Sequence, residues 1–316
     1  MTFDPNVPYN DLPPLPPTVE VETKAVLRRT IAARSALAEL KGLGRTIPNQ
    51  ALLVDSLILQ EAKASSEIEN IITTSDALFR AFTASTSKID SATKEVLRYR
   101  EALWKGLNDL QKRPVLSTNL FIDLVQTIKE HKGGIRSMPG TVVANATTKK
   151  VLYTPPEGEA VIRDHLKRLL EFMHADDDMD PLVKLALIHY QFEAIHPFPD
   201  GNGRVGRIVN ILFLIQQGLL DHPVLYLSRA IIERKGDYYR LLRQVTEKGA
   251  WEPWVLFILK AVENMAIFTR ERILAIRALM DETTAVAKEK LPSRVYSKEL
   301  IETIFRQPYT KGQFLV

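Results

Sequence analysis

Apolar positions in the first 113 residues recur at helical spacing. Val26, Ile31, Ala32, Leu37 and Leu40 fall near a 3.6-residue period and predict an amphipathic helix. Gly42-Leu43-Gly44 breaks it. Pro48-Asn49 opens a second helix carrying Leu52, Leu59, Ala62, Ser65, Ser66 and Ile68 toward Ile72. Another carries Val96, Tyr99, Leu103 and Leu107, and Leu120–Lys132 predicts one more, ended by Gly133-Gly134. The texture then changes. Ile135–Pro156 sets Val142, Val143, Val151 and Tyr153 around the polar Asn145-Ala146-Thr147-Thr148, which reads as a β-hairpin.

Asp180-Pro181 has the residues of a helix start, a capping carboxylate followed by proline at the first helical position. The run to Ile195 is apolar almost all round, so this helix is expected at the centre. The loop His196–Gly201 follows, then a second apolar helix from Asn202 to Gly218. Trp251–Lys288 predicts a long helix closed by Pro292. Six of the first 17 residues are Pro, so that stretch runs extended. It is expected as a strap over the domain, with an SH3-type ligand as the other reading.

Composition narrows the chemistry. Apolar residues make 45% of the 316 and charged residues 25%, which excludes whole-chain disorder or collagen. With no Cys, disulfides, thiolate-bound zinc, iron–sulfur clusters and cysteine nucleophiles are excluded. The net charge of +4 admits anionic partners without choosing among them. No signal peptide and no transmembrane-length apolar run is read, so a cytoplasmic protein is expected.

The informative segment is His196-Pro-Phe-Pro-Asp200-Gly201-Asn202-Gly203-Arg204-Val-Gly206-Arg207. Gly-Asn-Gly at a helix start leaves amides free to cradle an anion on the positive end of the helix dipole. Arg204 and Arg207, three apart, share a face and add fork-shaped donors for phosphate. Asp200 can hold Mg²⁺, which takes one carboxylate plus phosphate oxygens and water, and His196 is a base. The sum is a Mg-nucleotide site. Gly201-x-Gly203-x-x-Gly206 matches the dinucleotide fingerprint, but a helix precedes it where that fingerprint needs a strand. His189, Glu193 and His196 lack the metalloprotease order, and zinc is set aside.

His196–Arg207 fits H-x-F-x-D-G-N-G-R-x-x-R without a mismatch and resembles the Fic family. Gln191–Ile195, Tyr238-Tyr239 with Trp251 and Trp254, and the Pro-rich start resemble it too. The resemblance implies an all-α Fic fold with a small β-hairpin flap. It implies transfer of AMP from ATP to a protein hydroxyl, with release of pyrophosphate. His196 would deprotonate that hydroxyl. Asp200 would hold Mg²⁺; Gly201, Asn202, Gly203 and Arg204 would grip the α- and β-phosphates, and Arg207 the γ-phosphate. Tyr239 is either a nucleoside contact or core packing.

Ser65…Glu69-Asn70 resembles the family's inhibitory pattern, of the type with an N-terminal inhibitory helix (class II). Ser65 and Glu69 sit one turn apart, and Glu69 would pair with Arg207 where the γ-phosphate belongs. The same Glu is also open to a role in removing AMP. The 135–156 hairpin lies where the family docks a target segment, with self-AMPylation as a readout and a homodimer left open. Tyr296–Phe305 resembles the first helix of a winged-helix module, incomplete by Val316, which leaves DNA binding in doubt. The expected organisation is 1–113 helical with strap and inhibitory helix, 114–268 catalytic core, and 269–316 a C-terminal helix and winged-helix-like stub. The other readings are a DNA-binding regulator or a transferase using a different nucleotide donor.

Overall fold

The computed structural model describes residues 3–44, 50–83, 89–145 and 148–305, with side chains from residue 54 in the second stretch. The helix opening at Pro48-Asn49, the hairpin tip Ala146-Thr147 and the tail beyond Phe305 lie outside the described residues. In chain order come α1 Lys24–Gly44, α2 Gln50–Ile68, α3 Ser75–Thr83, α4 Ser91–Lys112 and α5 Thr118–Lys129. The hairpin strands β1 Val143–Ala144 and β2 Val151–Tyr153 follow, paired antiparallel with Val143 opposite Tyr153. Then come α6 Glu159–His174, α7 Pro181–Ile195, α8 Asn202–Gln216, α9 Leu227–Glu233, α10 Lys235–Lys248, α11 Trp251–Lys290 and α12 Lys298–Phe305. The protein is all-α with one small hairpin.

The central expectation holds: α7 is buried nearly all round. Asp180 caps it, its carboxylate accepting from the Leu182 N–H at 2.8 Å. Leu182, Leu185, Leu187, Ile188 and Ile195 are fully buried, each contributing about 1.5–3 kcal/mol. α8 packs against α7, and the Trp254 indole of α11 donates to the Ala186 carbonyl of α7 at 2.8 Å. α1 lies along α11, tied by Arg29–Glu263 at 2.6 Å.

Several boundaries differ from expectation. The buried stripe of α1 is Val26, Thr30, Ala33, Leu37 and Leu40, whereas Ile31 is 68% exposed. Steps of four and three from Val26 reach Thr30 and Ala33 and leave Ile31 turned outward. α1 continues through Gly42 to Gly44. α5 ends at Lys129 because Glu130 turns left-handed at φ 54°, ahead of the expected Gly133-Gly134 stop. α3 and α6 were not anticipated. α6 buries Ile162, Leu166, Leu169 and Met173, but its N-cap is Gly158 with no side-chain cap, so no start signal marks it.

The Pro-rich start is a strap. The Tyr9 N–H donates to Thr154 O at 3.0 Å, the Thr154 hydroxyl to Pro5 O at 2.7 Å, and Gln191 Nε2 to Pro13 O at 2.9 Å. Phe3 stacks on Tyr153 of β2 at 6.2 Å, and Tyr9 meets the same ring edge-on at 6.3 Å. The strap thus buttresses the hairpin. No helix among the described residues is long and apolar enough to cross a membrane.

Candidate active site

Chain reversal between α7 and α8 builds the site. His196 ends α7 in the left-handed region, φ 49°, its N–H donating to Phe192 O at 3.1 Å. That conformation turns the imidazole out of the helix into a cavity of about 390 Å³, where it is half-buried. Burial disfavours the charged ring, the nearby Arg136 guanidinium adds to this, and together they hold His196 down to about 4. The imidazole is therefore neutral and able to accept a proton at ordinary pH.

Asn202 closes the loop. Its amide Oδ1 accepts from Phe198 N–H at 2.8 Å and its Nδ2 donates to Phe198 O at 2.7 Å. The side chain is thus spent on loop shape, which leaves the backbone N–H of Asn202 for the expected amide cradle. Gly201 caps α8 at φ 84°, a conformation that favours glycine. A Cβ on Gly203 would lie 2.2 Å from Glu69 Oε1, so the backbone there is pressed directly against that carboxylate.

Glu69 reaches the cradle from the end of α2. Arg207, 2% exposed, donates to Glu69 Oε1 at 2.9 Å, to Ser65 O at 2.9 Å and, through Nε, to Ser65 Oγ at 2.8 Å. The one-turn spacing of Ser65 and Glu69 therefore converges on one guanidinium. Asn70 adopts φ 62° and turns its amide outward, where Lys235 reaches it at 3.5 Å. Its contribution is the left-handed turn that ends the helix, for which Gly or Asn is suited.

Around Asp200 stands a four-charge network. Lys129 Nζ lies 2.6 Å from Asp200 Oδ2 and 2.9 Å from Glu95 Oε1, and Arg204 NH1 lies 2.6 Å from that same Glu95 oxygen. Arg204 is 1% exposed, whereas the Asp200 side chain is 61% exposed. Burial raises both carboxyls, but the bonds from Lys129 to both and from Arg204 to Glu95 outweigh it and hold them below their ordinary values. Glu95 comes from α4 and Lys129 from the last turn of α5. Neither was singled out from sequence, because nothing local marks a long-range ion pair.

His196, Gly203, Arg207, Glu69 and Tyr239 line the one cavity, with Glu193 and Tyr153 beside them. Tyr239 is 43% exposed and edge-on to Tyr238 at 5.1 Å, so it is a cavity wall; Tyr238 and Trp251 are the core residues. Glu193 is half-buried, and loss of solvent around its carboxyl raises it to about 7 against the pull of Arg207. His189 is committed elsewhere, to Tyr238 OH at 2.9 Å and stacked on Trp254, and among the described residues no cluster of three metal-type ligands exists. Arg136, also missed, fastens the hairpin to the loop. It is 5% exposed, donates through Nε to His196 O at 2.8 Å and through NH2 to Pro156 O, and its own N–H donates to Pro197 O at 3.0 Å.

Fold and site together define a helical protein built around a glycine-flanked helix start with two buried arginines and a neutral imidazole. Family models agree with that class: residues 27–108 match the Fic/DOC family N-terminal model, 115–214 the Fic/DOC family model, and 279–316 the "Protein adenylyltransferase SoFic-like, C-terminal domain". The chain belongs to the Fic/DOC family. It is 38% identical over 69 residues to "Probable protein adenylyltransferase" of Aquifex aeolicus, covering 22% of this chain and 21% of that one. It is 30% identical over 113 residues to "Protein adenylyltransferase fic-1" of Caenorhabditis elegans, covering 35% and 21%. The chain thus matches about a fifth of the length of these curated relatives. Among solved structures, a Fic family protein from Desulfovibrio desulfuricans G20 shares the fold at TM-score 0.64 and 20% identity, over 92% of this chain and 81% of that one. A fragment of C. elegans Fic-1 shares it at TM-score 0.59 and 17% identity, over 80% and 74%.

Proposed function

We propose that the protein is a self-inhibited protein adenylyltransferase, moving AMP from ATP to a hydroxyl side chain of a target protein in the cytoplasm. The carrying observation is the convergence of a neutral His196, Gly203 in the first turn of α8 and Arg207 on one cavity. In this reading His196 takes the proton of the target hydroxyl as its oxygen bonds to the α-phosphorus. The bond to the pyrophosphate leaving group then breaks. The free amides at the start of α8, with Arg204 and Arg207, neutralise the phosphate charge, which is where most of the rate in such transfers arises. Tyr239 offers a ring or hydroxyl to the nucleoside.

Asp200 fits a magnesium ligand. It is a single exposed carboxylate at the cradle's edge, already facing an ammonium at 2.6 Å, and Mg²⁺ takes one carboxylate together with phosphate oxygens and water. When bound there, the ion would supply further neutralisation of the phosphates. The hairpin, held by Arg136 and the strap, presents an edge on which an extended target segment can pair by its main chain. Glu69 on Arg207 is the inhibitory element, one anion holding the guanidinium that another needs. A second reading, AMP removal using Glu69, draws on its carboxylate and His196 sharing the cavity.

The test incubates wild type, His196→Ala and Glu69→Gly with α- and γ-labelled ATP and follows self-modification. Label from the α position alone, lost in His196→Ala and raised in Glu69→Gly, is the expected result. Label from the γ position, or full transfer by His196→Ala, would overturn the reading. Release of AMP from pre-modified protein by wild type and not by Glu69→Gly would favour removal.

A further inference from the structure

The ammonium of Lys129 sits on the carboxylate of Asp200, where the proposed function puts a divalent cation. The placement is built. Lys129 ends α5, its stem passes over Gly201 (a Cβ added there would lie 3.7 Å from Lys129 Cγ), and its Nζ bridges Asp200 at 2.6 Å and Glu95 at 2.9 Å. Glu95 is fixed in turn by the buried Arg204 at 2.6 Å. Two acids and two bases make the cluster neutral. A cation arriving alone must break the pair with Asp200 and leave a released ammonium beside it. A cation arriving with a triphosphate brings new anionic acceptors for that ammonium.

We propose that Lys129 is a positioning residue that stands in for the divalent cation on Asp200, so that cation and nucleotide enter the site together. The inference rests on Asp200 being the cation ligand. It gives Glu95 a part as well: by holding Lys129 and Arg204 on one oxygen, a residue of the N-terminal helical region sets two groups of the catalytic cradle.

The experiment measures Mn²⁺ binding by the paramagnetic signal of the free ion, on nucleotide-free protein and with a non-hydrolysable ATP analogue. Breaking one partly exposed ion pair corresponds to a factor of about five, so nucleotide-free Lys129→Gln should bind Mn²⁺ about fivefold more tightly than wild type. Lys129→Arg, which keeps the charge, should bind as weakly as wild type. Adding Asp200→Asn to Lys129→Gln should abolish the gain. Equal binding by wild type and Lys129→Gln overturns the proposal, as does the same gain in Lys129→Arg or a gain that survives Asp200→Asn. If Asp200→Asn leaves Mn²⁺ binding of the analogue complex intact, Asp200 is not the ligand, and it is that underlying reading that fails.

Discussion

Glu69→Gly separates the γ-phosphate from the rest of the nucleotide. Arg207 is 2% exposed and its NH2 donates to Glu69 Oε1 at 2.9 Å, while Ser65 keeps its remaining contacts. A hydrogen bond between charged groups contributes about 1.5–3 kcal/mol when buried. The Glu69 side chain is 34% exposed, so solvent screening lowers this to about 1–2 kcal/mol. That free energy opposes any ligand needing the same guanidinium and corresponds to roughly 5- to 30-fold in affinity. A non-hydrolysable ATP analogue should therefore bind Glu69→Gly about 5- to 30-fold more tightly than wild type. ADP, with no γ-phosphate, should change by less than about twofold. Titration calorimetry of both ligands on both proteins reads the difference. Equal tightening for ADP and the ATP analogue would mean that the substitution merely opens the cavity, and no tightening for either would remove Glu69 as a competitor.

Three further outcomes follow from burial and charge. With His196 held down to about 4, the imidazole is deprotonated above that value and lost as a base only below it, so transfer should be flat from about pH 6 to 8 on its acid side; an acid limb near 6.5 in the pH–rate profile would refute the neutral buried base. His189, fully buried, is lowered to about 3, so the unfolded chain takes up its proton first and stability is lost as pH falls from about 6.5 toward 3. Urea denaturation should show the advantage of wild type over His189→Asn shrinking by about 1.7 kcal/mol between pH 6.5 and 5. Arg136→Ala leaves the carbonyls of His196 and Pro156 without their donor; thermal denaturation should report a loss of about 2–4 kcal/mol, with transfer falling more than nucleotide affinity.

The site was legible where chemistry is local. His196, Asp200, the glycines and both arginines stand within twelve residues, so spacing alone groups them; Ser65 and Glu69 share one helical turn, but their place against Arg207 followed only from the family resemblance. The roles of Asn202 and Asn70 were not legible, because a side chain closing a loop and one reaching a ligand look the same as letters. Glu95, Lys129 and Arg136 act across 109, 71 and 60 residues of chain, respectively, and only folding brings each to its partner. Near-continuous apolar runs marked α7 and α8, where burial is nearly complete, whereas α6 went unread because its first residue follows an uncapped glycine.

The contact between Glu69 and Arg207 also has a direction in time. The two residues are 138 apart, and Glu69 comes first. Ribosomes add about 5–20 residues per second, so α2 has some seconds to form before α8 emerges. When the second arginine of the motif folds into its turn, the carboxylate that covers it has already been made. A chain long enough to carry Arg207 therefore always carries the carboxylate that pairs with it, so the contact depends on folding within one molecule and waits on nothing still to be made upstream.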